Sequence, residues 1–330
     1  MIPVYFAPME GVTEAVYRKA HFMCFPECAA YYLPFVSPTV HLCLNGREKR
    51  NVLPQYNAGM RCIPQVLTKD AEQFLWAAGA FADMGYTEVN LNAGCPSGTV
   101  TAKDKGAGLL KRADDLRRLL DRICSESPIP VSVKTRIGYT SPDEWEDLLQ
   151  VYASFPLRRL IIHPRTCREL YSPFYLHREC YVEALRRCPY EVIYNGDVFS
   201  PADAEEITKK YPRTAGIMCG RGLVADPALA REIGGGERLK KEEVIRFHSV
   251  LTEELLSVYD RRITFMKLRV IMKMLSCAFE NAEKEEKLIR KSRSLEELLE
   301  ADRRLFENRQ LKAEGAFVPD ELKSRPSQQL

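Results

Sequence analysis

The chain has little that would tie it to a membrane, to an oxidising compartment or, through bulk charge, to nucleic acid. No segment of its 330 residues reaches the roughly 18 consecutive apolar residues of a membrane span. It begins Met1-Ile2-Pro3-Val4-Tyr5, without the charged and then apolar stretch of a secretory leader. Its eleven cysteines lack regular spacing, so the thiols are expected to be reduced and the protein cytoplasmic. The net charge is only +3, from 48 basic and 45 acidic side chains, so any polyanion must be met by a local patch. His21, Cys24 and Cys28 stand close together, but no second pair follows to complete a tetrahedral set, and no metal is expected. No GxGxxG run separates a strand from a helix, and Gly234-Gly235-Gly236 reads as a loop, which argues against a Rossmann domain.

What is present is a repeating pattern. An apolar content of 45% supports a large core, and short β-branched or aromatic runs recur, each followed by a stretch of helical periodicity. Eight such runs cover residues 4–7, 29–33, 62–67, 88–92, 131–136, 160–163, 192–195 and 216–219; amphipathic stretches such as 70–84, 113–124, 142–154 and 201–210 lie between them. Eight βα units point to a (β/α)8 TIM barrel. The unusual polar residues all fall at one end of these strands. Pro8, Met9 and Glu10 follow the first, Gln65 lies late in the third, and Asn92 and Cys95 end the fourth. Lys134 with Arg136 ends the fifth, His163 the sixth, Asn195-Gly196-Asp197 the seventh and Gly220-Arg221-Gly222 the eighth. Only closure into a barrel gathers seven carboxyl ends around one site, so residues 1–236 are expected to form a catalytic barrel.

Beyond Gly236 proline is absent until Phe317, and leucine, glutamate, lysine and arginine dominate at helical spacing. Residues 237–317 are therefore expected to form an all-α domain, and residues 318–330 a disordered tail. Within it Arg262, Arg269 and Lys273 are offset by seven and four positions, which puts them on one helix face. Such a face suits either solvent or phosphates.

Cys95 lies between Gly94 and Pro96 just past a strand, on a stiff turn, with the amide of Asn92 three residues before it. That setting is polar, and a reactive thiol fits it better than a packed one. Gly196 and Gly220 mark the turns where barrels bind phosphate with backbone N–H groups, and Arg221 beside them fits a phosphate ligand or a rim ion pair. Lys134 inside a barrel needs an acceptor, which an electron-rich ring with carbonyl oxygens supplies.

The runs APMEGVTE (7–14), PQVL (64–67), NLNAGCPS (90–97), KDKGAGLL (103–110), VKTR (133–136), IIHPRT (161–166), NGD (195–197) and CGRG (219–222) together resemble the signature set of the tRNA-dihydrouridine synthase family. The resemblance implies an FMN-dependent, NADPH-reduced enzyme that saturates the C5–C6 bond of a uridine in tRNA. It implies Pro8, Met9, Glu10, Gln65, Lys134 and His163 along the flavin, and Asn195, Gly196, Asp197, Gly220 and Arg221 at its phosphate end. Cys95 would donate the proton, and Asn92 would hold the uracil edge. Lys103, Lys105, Arg168, Arg262, Arg269 and Lys273 would meet the RNA, which a single copy of the chain would bind. The sequence departs from the family pattern at Ala93, at Glu14 and after Arg165-Thr166, where a usual tyrosine-glycine region reads Tyr171-Ser172-Pro173. Ribosomal RNA as substrate, a small-molecule flavin reductase and a non-catalytic RNA-binding module are the alternatives.

Overall fold

The computed structural model describes residues 2–313, 315 and 317. The expected tail lies outside the described residues. Among the described residues nine strands form one sheet: β1 (Val4–Phe6), β2 (Ala30–Tyr32), β3 (Cys62–Ile63), β4 (Gln65–Val66), β5 (Val89–Ala93), β6 (Val131–Gly138), β7 (Arg159–Thr166), β8 (Glu191–Tyr194) and β9 (Gly216–Cys219). Their order is β3-β2-β1-β9-β8-β7-β6-β5-β4. The two ends of that order are one run of chain broken at Pro64. Proline has no N–H for the ladder, so the strand changes partner there. Ile63 O accepts Leu33 N–H on one side, and Pro64 O accepts Asn90 N–H on the other, both at 2.9 Å. The nine strands thus stand for the eight βα units of a closed (β/α)8 barrel.

The intervening helices begin where their caps direct. Asp70 accepts Gln73 N–H at 3.0 Å to start Ala71–Asp83. Ala113–Glu126 opens on Asp114 and Asp115 and buries Leu116, Leu119, Leu120 and Ile123 at helical spacing. Pro142–Glu144 is a 3₁₀ turn leading into Trp145–Ala153. On β6 the odd residues face these helices, as Thr135 Oγ1 shows by meeting Tyr152 OH at 2.8 Å. The even residues, Ser132, Lys134 and Arg136, therefore point into the barrel.

Two compact units divide the chain. One comprises 30–196 and 207–218. Its floor is an ion pair between Arg159 and Glu88 at 3.3 Å, both side chains buried. The other comprises Met1–Ala29, Asp197–Glu206 and Cys219–Leu330. In it the Ala15–Cys24 helix packs on Lys241–Val258, where the Phe247 ring meets Tyr17 and Phe25 at 5.8 Å between centroids and His21 at 6.3 Å. His21 turns Nε2 to Pro227 O at 3.1 Å, and burial lowers its pKa to about 3. The helices Arg261–Leu275, Glu283–Lys291 and Leu295–Asn308 complete this unit's helical stretch. Among the described residues no helix is long and apolar enough to cross a membrane.

Candidate active site

Asn92 is the pivot of the Cys95 turn. Its Oδ1 accepts the backbone N–H of Gly94 at 3.1 Å and of Cys95 at 2.9 Å. Its Nδ2 donates to Gln65 Oε1 at 2.7 Å, Gln65 Nε2 donates to Asn90 Oδ1 at 2.7 Å, and Asn90 Nδ2 donates to Ser132 Oγ at 2.8 Å. One chain of buried amides thus crosses β4, β5 and β6, and reversing any member would set donor against donor. On the far side Cys95 O accepts Ala107 N–H at 3.0 Å. Gly106 has φ +57°, and a Cβ there would stand 2.9 Å from Cys95 O, so neither its backbone nor its space admits a side chain. Cys95 itself is half-buried.

Beside this turn lies positive charge. Lys134 is the register partner of Asn92, and Arg136 of His163. Burial pushes the Lys134 ammonium down to about 7; the Arg136 guanidinium adds to that push, and the Cys95 thiol opposes it. Arg136 donates from Nε to Gly94 O at 3.0 Å, and from Nη1 to Thr166 O at 2.8 Å and Leu170 O at 2.7 Å. Neither Lys134 nor Arg136 pairs with a carboxylate among the described residues. His163 Nε2 lies 2.9 Å from Arg165 Nη1. A guanidinium only donates, so His163 accepts through Nε2, is neutral there, and carries its proton on Nδ1.

Sequence reasoning gave no role to Asn90, Ser132 or Arg165, and it treated Arg136 only as a strand end. The signal was alternation: Glu88 just before β5, Asn90 and Asn92 on it, and Ser132, Lys134 and Arg136 on β6 are polar at every second position. Those are interior positions of a barrel, where branched apolar residues are usual.

The other unit holds the remaining expected cofactor residues except Asn195 and Gly196, which belong with β8. Asn195 Nδ2 donates to Met218 O at 2.8 Å, and Gly196 packs against Pro164 and Leu176. Asp197, with φ 42°, accepts Arg221 Nη2 at 2.9 Å. The Arg221 guanidinium lies over both the Phe199 and Phe317 rings, 5.4 and 5.3 Å from centroids that are 5.0 Å apart, and takes the rim ion pair in this structure. A Cβ on Gly220 would meet Met9 Sδ at 3.3 Å and Ala7 at 3.4 Å, which places Met9 beside the glycine turn. Pro8 is half-buried and Glu10 exposed.

The RNA candidates differ in exposure. Lys103, Arg168, Arg262 and Lys273 are exposed. Lys105 is partly buried, with its pKa lowered by that burial and then by Lys103 and Lys69. Arg269 is drawn inward: Nη1 donates to Ser292 O at 3.0 Å, and its guanidinium lies 4.8 Å from the Phe265 centroid. It joins two helices, because an arginine stem half-buried beside a phenylalanine gains more from that carbonyl than from water.

A closed parallel barrel whose carboxyl ends carry a thiol turn, an amide chain and a buried ammonium is the architecture of a barrel enzyme. The barrel resembles solved morphinone reductase, with TM-score 0.52 and 13% identity over 74% of this chain and 88% of that one. It also resembles histamine dehydrogenase from Rhizobium sp. 4-9, with TM-score 0.54 and 12% identity over 78% of this chain and 49% of that one. In sequence it is 31% identical over 267 residues to a probable tRNA-dihydrouridine synthase of Staphylococcus epidermidis, covering 77% of this chain and 78% of that protein. It is 29% identical over 260 residues to a probable tRNA-dihydrouridine synthase 2 of Bacillus subtilis, covering 75% and 77%. The dihydrouridine synthase profile matches residues 5–313, and the chain belongs to that family. It is an oxidoreductase.

Proposed function

We propose that the chain reduces the C5–C6 double bond of uridines in tRNA, as a monomer in the cytoplasm, with bound FMN and with NADPH as reductant. The single observation that carries the cofactor reading is Lys134, a desolvated ammonium paired with no carboxylate among the described residues. It requires an electron-rich acceptor, which the pyrimidine edge of a flavin provides. Gln65 and His163 would hold that edge, with Pro8, Met9 and Glu10 alongside. Asn195, Gly196, Asp197, Gly220 and Arg221 would hold the phosphate end, with Arg221 exchanging its Asp197 partner for phosphate. When bound, the flavin supplies the hydride that reaches carbon six of the base.

The protein's own task is the proton. Cys95 must be a neutral thiol when charge develops at carbon five, so that it acts as an acid and not as a nucleophile. Its turn is held by Asn92 from one side and by Ala107 N–H from the other, which fixes where the sulfur points. The second amide proton of Asn92 serves the uracil edge. The uridine must leave its stack to reach this depth, at a cost of a few kcal/mol. Residues 237–317 would act as the RNA-gripping domain through Arg262 and Lys273, with Arg269 in a supporting place, while Lys103, Lys105 and Arg168 meet the RNA near the thiol.

Heat release of the ligand from purified protein tests the cofactor. FMN in the supernatant, and weaker retention in Arg221→Ala, are expected. A supernatant without flavin, or with FAD, contradicts the reading.

A further inference from the structure

Three of the four exposed aromatic side chains among the described residues lie within five positions, in the loop after β7. Tyr171 is 48% exposed, Phe174 48% and Tyr175 51%, and Leu170 next to them is 52% exposed. Exposed rings cost solubility, and a mobile loop would fold them back. This loop is pinned open instead. Leu170 has φ 53°, a conformation an ordinary residue keeps only when its surroundings demand it. Arg136 supplies that demand by donating to Leu170 O, while Arg165 Nε donates to Ser172 O at 2.9 Å. Glu169 adds a further clamp: its Oε2 accepts Thr166 N–H at 2.7 Å, and His177 Nε2 meets its Oε1 at 2.8 Å.

The same guanidinium that fixes Leu170 O also donates to Gly94 O, one residue before the thiol. The exposed rings are therefore one arginine away from the Cys95 turn. Tyr171 turns toward that interior, 5.1 Å from the Arg136 guanidinium and 5.8 Å from the His163 ring. Phe174 and Tyr175 lie further along the loop. Arg168, exposed on the same loop, gives it positive charge.

We infer that Phe174 and Tyr175, with Leu170, form a stacking platform for the bases that flank the reduced uridine. This rests on the proposed function, and adds to it a grip on single-stranded bases. Extruding one base leaves its neighbours without a stacking partner, and an aromatic ring offers one to any base regardless of sequence. The cation beside the rings complements the phosphates that accompany those bases.

The test is the affinity of an unmodified tRNA transcript for the full-length protein and for Phe174→Ala/Tyr175→Ala, at several salt concentrations, with sedimentation of both proteins. The platform predicts binding weakened roughly ten- to hundredfold with an unchanged salt slope. It also predicts that Phe174→Trp retains affinity while Phe174→Leu does not. Unchanged affinity overturns the inference, as does a loss confined to the salt slope. A change of oligomeric state in place of RNA affinity would make the loop an interface between copies, which also overturns it. Failure of the unaltered protein to form dihydrouridine counts against the proposed function and not against the platform, because affinity is read without turnover.

Discussion

Lys134 carries a pH-sensitive charge inside the barrel. Its folded pKa of about 7 lies below the ordinary lysine value of 10.5. Its contribution to stability is therefore full above about 10.5 and is lost as pH falls through 7. The flavin-free protein should gain stability from pH 7 to pH 10 by this group, and Lys134→Met should flatten that part of the profile in urea unfolding. Binding an acceptor at the ammonium would restore the charge, so flavin binding should take up a proton between those limits. Isothermal titration in buffers of different ionisation enthalpy measures that uptake. Asn92 acts by geometry. Asn92→Ala leaves the N–H groups of Gly94 and Cys95 without their acceptor, at about 1–3 kcal/mol of stability, and frees the thiol's aim. Thermal unfolding together with the rate of uridine reduction would register both losses; Asn92→Asp keeps the acceptor for these N–H groups but sets a carboxylate oxygen against Gln65 Oε1, and should recover only part of the stability.

At the scale of elements, the barrel was legible because seven of the eight strand runs ended in polar residues of distinct chemistry. The third run was read as one strand, and Pro64 divides it, since a missing N–H in a ladder is invisible to hydrophobic pattern. Strands β6 and β7 continue past Arg136 and His163 to Gly138 and Thr166. Their polar ends looked like loop because the interior of this barrel is itself polar. The amide chain through Asn90 and Ser132 was hidden for the same reason. The individual roles of Arg136, Arg165 and Arg269 depend on carbonyl positions and ring neighbours that spacing does not specify. Gly106 offers an element-scale test. Gly106→Ala forces a side chain onto Cys95 O in a left-handed backbone. It should lower the unfolding midpoint and slow uridine reduction more than an alanine at Gly98, whose Cβ would meet nothing within 4 Å. Equal effects at the two glycines would mean that the 103–110 loop does not brace the thiol.

At the scale of the molecule, the Ala15–Cys24 and Lys241–Val258 helices belong to one compact unit. Phe247 fills the aromatic face of the Ala15–Cys24 helix, and Lys267 Nζ meets the buried Glu14 at 2.6 Å. A chain ending at Gly236 would expose Tyr17 and Phe25 and leave Glu14 without its cation. It should therefore aggregate or lose near-ultraviolet dichroism, whereas an independently folding barrel would keep a cooperative unfolding transition. Lys267→Met isolates the second effect: Lys267 is only half-buried and Glu14 keeps the Tyr259 hydroxyl at 3.2 Å, so the loss should be about 1–3 kcal/mol.

The central claim is that Cys95 delivers the proton to a uridine in tRNA. Its most direct test is mass spectrometry of an unmodified tRNA transcript after incubation with NADPH and either the native protein or Cys95→Ala. The native protein should add two hydrogens to a defined uridine, and Cys95→Ala should retain bound FMN while losing this product by about a hundredfold or more. Native-like product formation by Cys95→Ala would contradict the account.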